Sequence, residues 1–117
     1  MNSKYFLLLI AVAFASCKTE LSFDSAKWKL PFDIAPNPDR SLMAKDLLTK
    51  RLLNGMDTAK VIDLLGQPQY RESNTYSYPV KVEFGTDIDP VATEDLEVRF
   101  IGGRVDTAFI RKWKKSQ

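Results

Sequence analysis

The dipeptide Gly102-Gly103 constrains this chain more than any other pair of residues, because it separates two runs that alternate with a period of two. Before it, Leu96, Val98 and Phe100 alternate with Glu97 and Arg99; after it, Val105, Thr107 and Phe109 continue the alternation. Alternation of this kind marks half-buried strands, and a two-residue glycine turn joins such strands as a β-hairpin. Pairing Ile101 with Arg104 then sets Phe100 opposite Val105, Val98 opposite Thr107 and Leu96 opposite Phe109 on one side. Arg99 falls opposite Asp106 on the other. A slip of one residue would turn each of these side chains to the wrong face, so the agreement supports the register.

Upstream, Tyr76, Tyr78, Val80, Val82 and Phe84 alternate with Ser77, Pro79, Lys81 and Glu83 and predict a third strand. Pro79 has no N–H for a ladder, so the strand should lie at an edge or bulge there. The stretch from Gly85 to Thr93 reads as a loop. A sheet with one apolar face needs a cover, and two helices supply it. After Pro38, Met43, Leu47, Leu48 and Leu52 recur at helical spacing and leave Lys45, Asp46, Lys50 and Arg51 to solvent, with Asp39 or Ser41 as cap and Gly55 as the left-handed stop. A second, shorter helix begins at Asp57 as N-cap, is stapled by Met56 and Val61, and ends at Gly66 and Pro68. Val61, Ile62, Leu64 and Leu65 crowd a helix too short to be stable alone, so packing must hold it. The predicted fold class is α+β: a two-helix hairpin on a three-stranded antiparallel sheet, in the order ααβββ, over residues 39–115.

Lys4 followed by the apolar run Tyr5 to Ala15 is shorter than the ~20 residues of a bilayer-spanning helix and reads as a signal peptide, residues 1–16. Phe14-Ala15-Ser16-Cys17 resembles the lipobox of bacterial lipoproteins. That resemblance implies cleavage before Cys17, a diacylglycerol on its thiol and an acylated N-terminus, and two or more acyl chains hold a protein stably on a membrane. Lys18 stands where the inner-membrane retention signal of enteric bacteria has Asp, which implies a lipid-anchored outer-membrane location; a periplasm-facing orientation is expected, but Lys18 leaves the leaflet and side open. Residues 17–38, with Pro31, Pro36 and Pro38, read as the lipidated N-terminus and a tether. Phe23, Trp28, Leu30, Phe32 and Ile34 make that tether apolar enough to pack along the domain, or to let Trp28 dock at a partner or the lipid interface.

Of 17 basic residues Lys4 falls in the leader, leaving 16 against 15 acidic ones, a balance that carries no nucleic-acid footprint. The chain has no histidine and one cysteine, which removes the commonest general base and metal ligand. No catalytic residue, cofactor or small-molecule substrate is predicted. The acidic residues Asp87, Asp89, Glu94 and Asp95 lack EF-hand spacing and Pro90 interrupts them, so a solvated loop is expected and no metal site. In the run Arg111-Lys-Trp-Lys-Lys115, Trp113 shares parity with Phe109 and should finish the core face. Alternatively Arg111, Lys112 and Trp113 contact anionic headgroups, peptidoglycan or an acidic partner.

Taken together, Gly55-Met56, Val61, Leu64-Leu65-Gly66, Pro68, the tyrosine-bearing strand, Leu96-Glu-Val-Arg-Phe100 and Gly103-Arg-Val105 resemble the SmpA/OmlA domain, the BamE-like family of small outer-membrane lipoproteins. The acidic loop and the pattern Arg40, Met43, Asp46-Leu47-Leu48 resemble a divergent branch of it. The resemblance implies a non-enzymatic protein acting by protein-protein contact, accessory to β-barrel assembly or envelope integrity. The same scaffold resembles the repeat unit of β-lactamase inhibitory proteins, which implies the alternative of an inhibitor or immunity-type module against a periplasmic enzyme.

Overall fold

The computed structural model describes residues 21–31 and 34–116. The leader, Cys17 and Phe32 lie outside the described residues. Among the described residues, three helices, α1 (Ser25–Trp28), α2 (Asp39–Thr49) and α3 (Thr58–Leu65), precede four strands, β1 (Tyr70–Glu72), β2 (Thr75–Phe84), β3 (Pro90–Ile101) and β4 (Arg104–Lys114). The strands form one antiparallel meander in the order β1-β2-β3-β4. The α+β class therefore stands, with one strand and one helix more than the sequence pattern predicted. Both extra elements are too short to show a period: β1 is three residues long, all exposed, and α1 is four residues long.

Local chemistry explains the ends of α3. The Asp57 carboxylate accepts the Lys60 N–H at 2.9 Å, Val61 is buried, Met56 packs against the core, and Gly66 closes the helix at φ +83°. The termini of α2 differ from expectation. Its first N–H, that of Asp39, is taken by the Asn37 side chain at 3.0 Å, so neither Asp39 nor Ser41 is the cap. Its end comes before Gly55. Arg51 adopts φ +52°, and the N–H groups of Arg51 and Leu52 donate back to the carbonyls of Leu48 and Leu47, a left-handed stop made without glycine. Gly55 serves elsewhere. Its N–H donates to the Val105 carbonyl at 3.1 Å, its own carbonyl accepts from Arg104 at 2.9 Å, and Val105 N–H reaches Met56 O at 2.8 Å. The connection between α2 and α3 is thereby pinned to the Gly102-Gly103 hairpin.

The segment read as a tether is part of the domain from Leu21 onward. Leu21 and Phe23 pack against the core, Phe23 N–H donates to Asp46 at 2.7 Å, and Ser25 Oγ donates to the Leu64 carbonyl at 2.6 Å. Trp28, offered above as a partner or membrane contact, is fully buried. Its ring lies 6.0 Å from Phe23 and 6.5 Å from Tyr78, with the Arg40 guanidinium 4.9 Å above it. A side chain enclosed in this way is unavailable to any partner, and burying an indole is among the larger apolar gains a small domain can make. Arg40 is buried with it, donating to the carbonyls of Trp28 at 2.8 Å and Pro79 at 3.0 Å. Burial pulls the Arg40 pKa below its usual value, and the two carbonyls and the ring face offset part of that cost.

Trp28, Met43, Leu47, Leu53, Val61 and Leu65 from the helical side meet Tyr78, Val80, Leu96, Val98, Phe100 and Val105 from the sheet. Tyr78 stays neutral, its pKa pushed up chiefly by burial, and donates to the Gly66 carbonyl at 2.9 Å. The hairpin register holds for Ile101 with Arg104 and Phe100 with Val105. It then shifts by one residue at Asp106. Arg99 faces Thr107 instead of Asp106, Val98 faces Ala108 instead of Thr107, and Leu96 faces Ile110 instead of Phe109. In β2 a second shift falls between Pro79 and Lys81, as the proline suggests, with Val80 as the extra residue. Beyond it Val82 and Phe84 no longer share a face with Tyr76 and Tyr78.

Candidate functional site

Of the three register shifts among the sheet's described residues, those at Asp106 and Val80 build the candidate site, because each turns the rest of its strand over. After Asp106, Ala108 and Ile110 point toward the helices, and Phe109, Arg111 and Trp113 point to the opposite side of the sheet. After Val80, Val82 joins them there, paired with Thr93. Among the described residues, helices cover one side of the sheet only. On the open side, Tyr70 and Glu72 of β1, Thr75, Ser77, Pro79 and Val82 of β2, and Thr93, Asp95, Glu97 and Arg99 of β3 stand beside the residues of β4.

The open side is concave. Two adjoining depressions of about 490 and 500 Å³ share Tyr70, Thr93 and Asp95. The one toward the β2–β3 loop is walled by apolar side chains, among them Ile34, Val82, Phe84, Ile88 and Pro90. The other, toward β4, is mixed: Ser77, Glu97, Arg99, Phe109, Arg111 and Trp113 line it. Large apolar groups remain in solvent around both, with Tyr70 62%, Ile88 83% and Trp113 50% exposed.

Two carboxylates lie at the centre on adjacent outward positions of β3, and they differ. Glu97 is 5% exposed, yet both its oxygens are engaged: Arg111 lies 3.3 Å from Oε1 and Ser77 Oγ donates to Oε2. Asp95 is half-buried and, among the described residues, its carboxylate accepts no hydrogen bond. Burial pushes its pKa above the usual carboxylate range, the Glu97 charge pushes the same way, and Arg111 opposes them. Arg99 is spent on Phe109, whose ring centre is 5.5 Å from the guanidinium carbon.

Of the contact residues expected from sequence, Arg111 and Trp113 share this face. Trp113 does so because the bulge carries it away from the core face it was expected to finish. Lys112 points to the opposite side with Lys114, next to Glu94 and Ala92. Glu94 and Asp95, read together as part of one acidic loop, belong to β3 and point to opposite faces, and Val91 to Thr93 are strand as well. In the remaining loop Asp87 accepts the Asp89 N–H at 3.0 Å. Among the described residues no three potential ligands come together to hold a metal ion. Tyr70, Ser77 and Glu97 went unnoticed as site residues. Their only signal was Pro79, which marked the bulge.

Fold and surface together define a small α+β domain with a four-stranded meander, helices on one face and a furrowed, partly aromatic second face. The chain matches no family model, no curated protein and no solved structure.

Proposed function

We propose that this protein is a lipid-anchored component of the outer membrane that works without catalysis, by protein-protein contact through the open face of its sheet, in envelope or β-barrel assembly. The observation that carries the contact reading is the open face itself, where Tyr70, Phe109 and Trp113 surround a groove that, among the described residues, no helix fills. Aromatic side chains in that setting offer large contact area at low entropic cost and are enriched where proteins bind one another. The lipobox-like Phe14 to Cys17 supports the anchor. The run from Gly55 to Pro68 supports placement near the SmpA/OmlA domains, and with it the assembly role.

Affinity purification of the full chain from detergent-solubilised envelopes tests the reading. An outer-membrane complex should be recovered with the wild type and lost with the Phe109→Ala, Trp113→Ala double variant at unchanged abundance. Recovery of the chain alone, or equal recovery by the variant, would overturn the contact reading. A periplasmic hydrolase as sole partner would replace the assembly role with inhibition. In the same cells Cys17→Ala should leave the protein uncleaved or soluble, and unchanged fractionation would refute the anchor.

A further inference from the structure

Among the described residues, the apolar half of the groove is lined by one carboxylate. Ile34, Pro36, Tyr70, Val82, Phe84 and Ile88 are among its walls, and of the described side chains that line it Asp95 alone is acidic or basic. It stands where the apolar half joins the mixed half, since both depressions include it. Its neighbours offset it only in part: Glu97 is like-charged, and the Arg111 guanidinium across the ladder from Asp95 is bonded to Glu97. A half-buried carboxylate between apolar walls is costly unless something of opposite charge reaches it.

The shape narrows what that something is. The furrow is open along its length, unlike the enclosed pockets that bury most of a small ligand. It crosses all four strands, from Tyr70 on β1 to Arg111 on β4. Strands lie ~4.8 Å apart, so the crossing measures ~14 Å, the reach of about four or five extended residues.

Resting on the reading of the open face as a protein-contact surface, we propose that the groove takes an extended segment of a partner protein bearing one lysine or arginine beside apolar residues. The cation sits on the Asp95 carboxylate, and the apolar residues lie along Val82, Phe84 and Ile88. A segment that placed an acidic residue against Asp95 would meet a like charge and be disfavoured, so the carboxylate selects as well as binds.

Selection of a displayed random dodecapeptide library on the full chain in detergent micelles tests this. Enriched peptides should carry a basic residue flanked by apolar ones, and Asp95→Asn should weaken them about tenfold or more, the range for a charged hydrogen bond at a protected site. Thermal melts check that each variant is folded. Enriched peptides lacking basic residues, or no enrichment at all, would overturn the proposal. If such peptides are still displaced by Val82→Glu, the open face remains a contact surface and only its cation specificity is wrong. Peptides indifferent to both Asp95→Asn and Val82→Glu would remove both readings.

Discussion

The two faces of the sheet are made by the same strands and have opposite fates. On the covered face, Tyr78, Val80, Leu96, Val98 and Phe100 are all but inaccessible and pack against Trp28, Met43 and Leu47. On the open face, the large side chains remain in solvent and the most buried residue is a charged one, Glu97. The covered face is organised by apolar area, the open face by a salt bridge and an unanswered carboxylate. A domain this small gains stability from only one of them, which leaves the second free to vary with function.

The largest effect should separate the faces by way of their two tryptophans. Trp28→Ala opens a cavity between α2 and β2 and removes the ring beneath Arg40, and such truncations cost ~3–5 kcal/mol. For a domain of this size that is a fall in Tm of about 12 °C or more by thermal melt. Trp113→Ala should shift stability by less than ~0.5 kcal/mol, as surface substitutions generally do, and act on partner recovery instead. Equal losses from the two variants would break the distinction between the faces.

Gly66→Val probes the support under the covered face. A Cβ there meets nothing closer than Lys29 Cγ at 3.6 Å, so the cost is one of backbone strain, not of collision. At φ +83° and ψ −172° the residue occupies a region that only glycine takes readily, and ~1–3 kcal/mol should be lost by chemical denaturation. An unaltered midpoint would mean that the Tyr78 hydrogen bond to this carbonyl survives a rearranged turn.

These differences also explain what could be read in the sequence. The ends of α3 and the Gly102-Gly103 turn were legible because single residues decide them: a cap at Asp57, positive φ at Gly66 and Gly103. The face of β4 was not, since both of its parities carry apolar groups. Phe109 and Trp113 are on one, Ala108 and Ile110 on the other, and an extra residue at Asp106 switches between them with no composition to mark it. In β2 the proline betrayed the bulge, but Val82 and Phe84 fit either face. The burial of Trp28 depends on Arg40 and Tyr78 arriving from other elements of the chain, which no local pattern reports. The open-face site was illegible for the same reason: it exists only because two bulges act in concert.

The smallest effect concerns Asp95 and has a sign. Its pKa is raised in the fold, first by burial and then by Glu97, so the folded protein holds the proton more tightly than the unfolded chain does. Stability linked to this group is fully present below the unfolded pKa and is lost as pH rises through the folded one. Asp95→Asn removes the penalty on the charged form, so it should raise Tm at neutral pH and leave it unchanged in acid where the carboxyl is already protonated. Asp46 behaves oppositely and serves as the control. The Phe23 N–H and then Lys50 hold its pKa down, so its contribution is present above the unfolded value and disappears as pH falls through the folded one. Melts of wild type and Asp95→Asn from pH 3 to 8 should therefore diverge as pH rises, whereas Asp46→Asn should differ from wild type most at neutral pH by being less stable. If Asp95→Asn is destabilising at neutral pH, the carboxylate is already satisfied within the fold, and the open face loses the one charge that would call for a partner.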